Sequence, residues 1–157
     1  MDHPPGFARE ASLKCPKCGS ELAAASRHGV DVQMCPSCKG MWLNRQELTQ
    51  LEDEVFFFGE HGKGTLVADT VATTHPCPAC NQNLTQFSYR FNDLELELCG
   101  QGHGFWLDAD EDTRILYIMK KEQVETANAL RAEEKWGETL TQMRSGSFLD
   151  KLRDLLR

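Results

Sequence analysis

Eight soft metal ligands fall along this 157-residue chain as two sets of four. The first is Cys15-Pro16-Lys17-Cys18 with Cys35-Pro36-Ser37-Cys38; the second is Cys77-Pro78-Ala79-Cys80 with Cys99 and, four positions on, His103. Disulfide pairing of seven cysteines would strand one thiol. One site of four cysteines and one of three cysteines plus a histidine consume the whole set. The first set, C-x2-C, sixteen residues, C-x2-C, has the spacing of a structural zinc site. Two bound Zn²⁺ are therefore expected, with iron the chemical competitor at tetrahedral thiolates.

The chain is 40% apolar and 8% aromatic, too thin for a large core in each half. Metal is what commonly closes the folding balance of domains this small. Asp2, His3, Pro4 and Pro5 open the chain without the charged-then-apolar order of a secretory leader, and no apolar run approaches a membrane span. A reducing cytoplasm is expected, where paired cysteines read as metal ligands. The formal charge is -7. Seven thiolates offset by two divalent ions would take it to about -10. So acidic a chain gains little from the counterion release that drives nucleic-acid binding.

The chain contains a duplication. Leu13 to Cys18 aligns on His75 to Cys80, Leu22 on Leu84, Cys35 on Cys99, and Gly40-Met41-Trp42-Leu43-Asn44 on Gly104-Phe105-Trp106-Leu107-Asp108. Between the cysteine pairs Val30, Val32 and Met34 alternate, as do Phe87, Tyr89, Phe91 and Leu94, Leu96, Leu98. Period two around His28-Gly29 and Asn92-Asp93 reads as a β-hairpin in each copy. Asn44 with Glu47, and Asp108 with Glu111, are cap-and-third-position pairs that start a helix. The first helix is predicted over 45–57. The second is predicted from 109 towards 135, with Ile115, Leu116, Met119, Ala127 and Leu130 on one face and Gly137 weakening its far end.

The expected class is small α+β: two zinc ribbons, each a hairpin with two cysteine turns and a following helix, plus a short C-terminal helix. The divisions are an extension over 1–12, ribbon one over 13–58, a glycine-containing linker over 59–74, ribbon two over 75–143, and a hinge with an amphipathic helix over 144–157. That last helix carries Phe148, Leu149, Leu152, Leu155 and Leu156 at i, i+1, i+4, i+7 and i+8, with Ser147 and Asp150 placed to cap it. So short a helix is marginal alone, which points its apolar face at a partner.

In the second set, direct alignment puts Gly102 opposite Cys38, so the metal must be met by C-x3-H. Histidine carries its donor further from the backbone, and Gly100, Gly102 and Gly104 let the loop adjust. His75 is the alternative fourth ligand; His28 and His61 read as solvated loop residues. Four protein ligands leave no open position for hydrolysis, and no His-x-Glu accompanies Pro76-Cys77-Pro78-Ala79-Cys80 as in zinc deaminases. No catalytic residue is expected. Trp42 and Trp106 read as small-core residues packed over hairpin and helix. Phe56-Phe57-Phe58 cannot all face one way, so at least one is expected to meet a partner.

These residues resemble the bacterial zinc-ribbon family named for its likeness to the zinc ribbon of transcription factor IIB, whose pattern is C-P-x-C, a hairpin, then C-P-x-C-x-G-x-W-L-D-x-x-E-L. Copy one, through Gly40, Trp42, Leu43, Glu47 and Leu48, departs only at Asn44 for Asp. Copy two keeps Cys77, Cys80, Cys99, Gly104, Trp106, Leu107, Asp108 and Glu111 and departs at the fourth ligand. The resemblance implies fold and metal; its transcription label is a fold-level analogy.

A non-catalytic module that binds a protein partner, or another copy of itself, is the expected function. Nucleic-acid binding through Lys14, Lys17, Arg27, His28, Lys39 and Arg45 is the alternative. An enzyme with an open second site ranks third.

Overall fold

The computed structural model describes residues 12–53, 67–144 and 146–155. It divides into two compact units, residues 1–119 and 120–157. Phe56, Phe57, Phe58, His61 and Leu156 lie outside the described residues.

In the first unit, β1 (Ala23–Arg27) and β2 (Val30–Met34) form the expected hairpin, turning at His28-Gly29. Both turn residues have positive φ, 50° and 75°, the conformation a tight two-residue turn requires. β3 (Met41–Leu43) pairs with β2, and α1 (Arg45–Asp53) follows. Its start is the reciprocal cap read from sequence: Glu47 N donates to Asn44 Oδ1 at 2.9 Å and Asn44 N to Glu47 Oε2 at 2.7 Å.

The second copy repeats the plan with β5 (Asn83–Tyr89), β6 (Glu95–Leu98), β7 (Phe105–Leu107) and the start of α2 (Glu111–Arg144). Two features depart from expectation. β4 (Val67–Pro76) occupies half of the segment read as a linker and pairs along β5. Asp108 does not complete its cap: its Oδ1 accepts from Trp106 Nε1 at 2.8 Å, while Asp108 N still donates to Glu111 Oε2 at 2.7 Å.

The ribbons are not separate bodies. One antiparallel sheet runs β1-β2-β3-β7-β6-β5-β4, joined where Met41 faces Leu107, Trp42 faces Trp106 and Leu43 faces Phe105. This register is symmetric about the tryptophan pair, which gives the β3–β7 junction a local twofold. Alternation then sorts side chains by face. Met41, Leu43, Phe105 and Leu107 join Leu48, Leu51, Ile115, Ile118 and Met119 in the helix-side core. Trp42 and Trp106 point the other way and pack with Leu84 and buried cysteines of both sets. The sequence reading packed each indole over its own hairpin and helix; they instead link the two cysteine clusters.

Gly40 and Gly104 explain how the indoles fit. A Cβ on Gly40 would lie 2.3 Å from Trp106 Cζ2, and one on Gly104 would lie 2.9 Å from Trp42 Cζ2 and 2.4 Å from Leu43 O. Each copy's glycine makes room for the other copy's tryptophan. Cross-copy polar contacts reinforce the join. Arg27, the last residue of β1, and His28 of the hairpin turn hold the buried Asp112 of α2 at 2.8 and 3.0 Å, so His28 is not a free loop residue. Tyr89 Oη, at the end of β5, donates to the buried Glu52 of α1 at 2.6 Å.

The second unit carries the rest of α2 and α3 (Gly146–Leu155). α2 continues through Gly137 to Arg144, past its expected end; one exposed helical glycine costs only about 1 kcal/mol. The apolar face read from sequence is buried only at Ile115 and Met119, with Leu116 partly covered, whereas Leu130 is exposed.

Candidate metal centres

Three of the four cysteine turns are built by the same backbone device. In the first three, the residue four after the leading cysteine donates back to its carbonyl: Gly19 to Cys15 at 2.9 Å, Lys39 to Cys35 at 3.1 Å and Asn81 to Cys77 at 2.9 Å. That residue is left-handed in every case, with φ of 72°, 64° and 62°. The second cysteine sits one residue earlier, aimed at the same point as the first. The fourth turn is tighter. Gly102 N donates to Cys99 O at 2.9 Å and Gly102 takes the left-handed φ of 79° one position early. The ligand side chain consequently moves from the third to the fourth position, which is His103.

The structure brings Cys15, Cys18, Cys35 and Cys38 together, and likewise Cys77, Cys80, Cys99 and His103, with all ligand atoms of a group within 4.8 Å of one another. His75 does not join: its Nδ1 lies 2.9 Å from Glu97 Oε1. Cys15 and Cys38 sulfurs are 3.5 Å apart, Cys18 and Cys35 3.4 Å, and Cys80 and Cys99 3.7 Å. These are far from the S–S bond of about 2.05 Å. They approach the edge of about 3.8 Å that a tetrahedron with Zn–S of about 2.3 Å requires. Cys99 Sγ to His103 Nδ1 is 3.4 Å, against about 3.6 Å for the mixed edge. The donor sets thus fit zinc.

The thiols are unequal without metal. Burial pushes Cys15 and Cys77 up to about 12 and raises Cys38. The Ser20 hydroxyl and backbone bring the exposed Cys18 down to about 6. At Cys99 burial works upward, but the backbone N–H groups of Gln101 and His103 and the imidazole outweigh it, giving about 7. Each cluster therefore holds at least one deeply protonated thiol, and a bound divalent ion would displace that proton. Cys38 N donates to Cys35 Sγ and Ala79 N to Cys77 Sγ, both at 3.4 Å, support suited to thiolate charge.

Three of the basic residues of ribbon one, besides Arg27, make contacts within the fold. Lys17 Nζ binds Glu97 Oε1 at 2.6 Å, Lys39 Nζ binds Pro36 O at 2.8 Å, and the Arg45 guanidinium lies 5.4 Å above the Phe105 ring. Sequence reasoning missed Glu97 and Asp112, because a buried acid has no periodic signature. It also missed Trp136, which lies beyond the helix end it assigned.

A family model described as a transcription factor zinc-finger, of the TFIIB zinc-ribbon type, matches residues 14–54. That span is the first ribbon with its helix. No curated protein and no solved structure matches the chain. Among the described residues no helix is long and apolar enough to cross a membrane.

Proposed function

We propose that the protein is a non-catalytic double zinc ribbon that presents its C-terminal helical region to a protein partner. Cys15, Cys18, Cys35 and Cys38 hold one Zn²⁺, and Cys77, Cys80, Cys99 and His103 hold the other. Both ions are structural, since each site spends four protein ligands and leaves no position for substrate. The observation that carries the reading is the exposed apolar surface of the second unit. Trp136, Leu140 and Met143 stand at i, i+4 and i+7 on α2, each about half or more exposed, and Leu155 on α3 is 87% exposed. A helical stripe of this kind docks into an apolar groove. α3 also bears Phe148, Leu149 and Leu152, which with Leu155 and Leu156 form the expected contact set.

Deleting 147–157 from the zinc-loaded chain, together with Trp136→Ala, Leu140→Ala and Met143→Ala, should abolish capture of partner in a pull-down, or shift a self-associated species to monomer in a sizing experiment. Unchanged capture and unchanged size would refute the assignment. The internal engagement of Lys17, Arg27, Lys39 and Arg45 weighs against nucleic acid. Binding of DNA or RNA with a steep salt dependence would reverse that ranking.

A further inference from the structure

The two metal centres share one buried cluster. Cys15 and Cys35 of the first set and Cys77 and Cys99 of the second are each at most 3% exposed. They pack with Trp42, Leu84 and Trp106 as a single apolar group. The two indoles face each other across the β3–β7 pair, and each fills the space that the other copy's glycine leaves open. That packing needs both strands in place at once.

A polar link joins the same two centres. Lys17 lies between Cys15 and Cys18, and its Nζ is 2.6 Å from Glu97 Oε1 in the second ribbon. Glu97 stands two residues before Cys99. Its same oxygen lies 2.9 Å from Nδ1 of His75, which stands two residues before Cys77. The first cysteine turn is thus tied to both halves of the second set. Glu97 is only 7% exposed, where a charge-assisted bond is stronger than at the surface and costly to break from one side. The repeat itself does not call for this link. By the alignment, Ala79 stands where Lys17 stands and Gln33 where Glu97 stands.

Each ribbon is too small to fold well on its own core, so closing its four ligands on an ion and ordering its strands are one event. An empty second site leaves β7, Trp106 and Glu97 without a fixed place. The first ribbon then lacks the mate of Met41–Leu43, the cover of Trp42 and the partner of Lys17. Once one ion is bound, the shared strands and cluster are ordered, and the other ion meets ligands nearer to their final positions.

We infer that the two zinc sites are energetically coupled: filling either one raises the affinity of the other. The inference rests on the reading of both clusters as zinc sites. Coupling of binding sites is reciprocal and commonly roughly 5–150-fold, so one factor describes both directions. The chain then passes from empty to doubly loaded with little of the singly loaded form, a threshold response to zinc in place of a graded one.

Chelator competition on the full-length, reduced chain tests this. It gives the overall constant for two ions in wild type, that of site one alone in Cys99→Ser with His103→Ala, and that of site two alone in Cys18→Ser with Cys38→Ser. The overall constant should exceed the product of the single-site constants by about tenfold or more. Intrinsic differences between a four-cysteine and a three-cysteine site cancel in that ratio. Lys17→Ala with Glu97→Gln installs the residues of the other copy and leaves neither charge alone; in that background the excess should shrink about threefold or more. Trp106→Phe, acting on the shared cluster, should shrink it as well. An excess below about twofold in wild type, or one that neither change reduces, would overturn the coupling. If a single-site variant does not fold, native mass spectrometry counts wild-type chains as zinc is added. At tenfold coupling, chains holding one ion should stay near about a quarter of the total at the midpoint, and about half or more would overturn it. Saturation below two ions per chain would overturn the zinc assignment itself, which the ion count alone reveals.

Discussion

Gly40→Ala is the sharpest test of how the two ribbons are joined. Gly40 does not have the positive φ that would itself oppose alanine, so the effect is steric. The added methyl would stand 2.3 Å from Trp106 Cζ2 and 2.9 Å from both Trp106 Cε2 and Leu107 O. Ordinary carbon contacts lie at about 3.5–4.0 Å, so relief needs a movement of more than about 1 Å. Trp106 is almost wholly buried and its indole N–H is held by Asp108 at 2.8 Å. The second obstacle is backbone of β7, which β3 must accompany. Overpacking a tight core costs about 1–3 kcal/mol, and an obstructing backbone puts this site at about 2–3. For a unit of this size that is roughly 10–20 °C in Tm. Denaturant unfolding in zinc-saturated buffer, followed by tryptophan fluorescence and circular dichroism, measures it. Trp106→Phe removes the ring edge that the methyl meets, so the double variant should recover about 1–2 kcal/mol relative to additivity. Gly40→Ala within about 0.5 kcal/mol of wild type, or strict additivity with Trp106→Phe, would refute the β3–β7 packing.

Three further outcomes follow from the geometry. His103→Ala should reduce bound zinc from two ions to one per chain by elemental analysis, and His75→Ala should leave two, because His103 and not His75 lies with Cys77, Cys80 and Cys99. Gly137→Ala, in an exposed helical stretch with nothing within 4 Å of the new Cβ, should stabilise α2 by about 0.5–1 kcal/mol, read as slower amide exchange around residue 137. Glu111 is raised to about 7 by burial, with the Asp108 charge adding to the shift. The folded chain therefore keeps a proton that the unfolded chain releases above the ordinary value of 4.5. Its contribution is complete below that value and lost as pH rises through about 7. Compared with Glu111→Gln across pH 5–8 at saturating zinc, wild type should lose stability with rising pH; parallel profiles would count against this.

Local chemistry was legible in the sequence where one residue acts on its near neighbours. The Asn44–Glu47 cap, the His28-Gly29 turn and the grouping of the eight ligand atoms are all of this kind. The position of His103 beside Cys77, Cys80 and Cys99 uses the loop freedom expected of Gly100, Gly102 and Gly104. Long-range choices were not legible. A three-residue strand such as Met41–Leu43 shows no period, so nothing announced its pairing with Phe105–Leu107. β4 is rich in threonine and alanine and follows three glycines, a composition that resembles a loop until β5 supplies its hydrogen bonds. The Asp108 carboxylate had two suitors, a helix N–H and an indole N–H, and only the fold decides between them.

The dyad through Trp42 and Trp106 has a bearing on any shorter chain. Cut after residue 58, ribbon one would present Met41–Leu43 as a bare sheet edge, with Gly40 and Trp42 both seeking a mate. Because the pairing is centred on equivalent residues, a second ribbon one turned by half a revolution offers the same fit. A solitary ribbon should thus homodimerise through this edge.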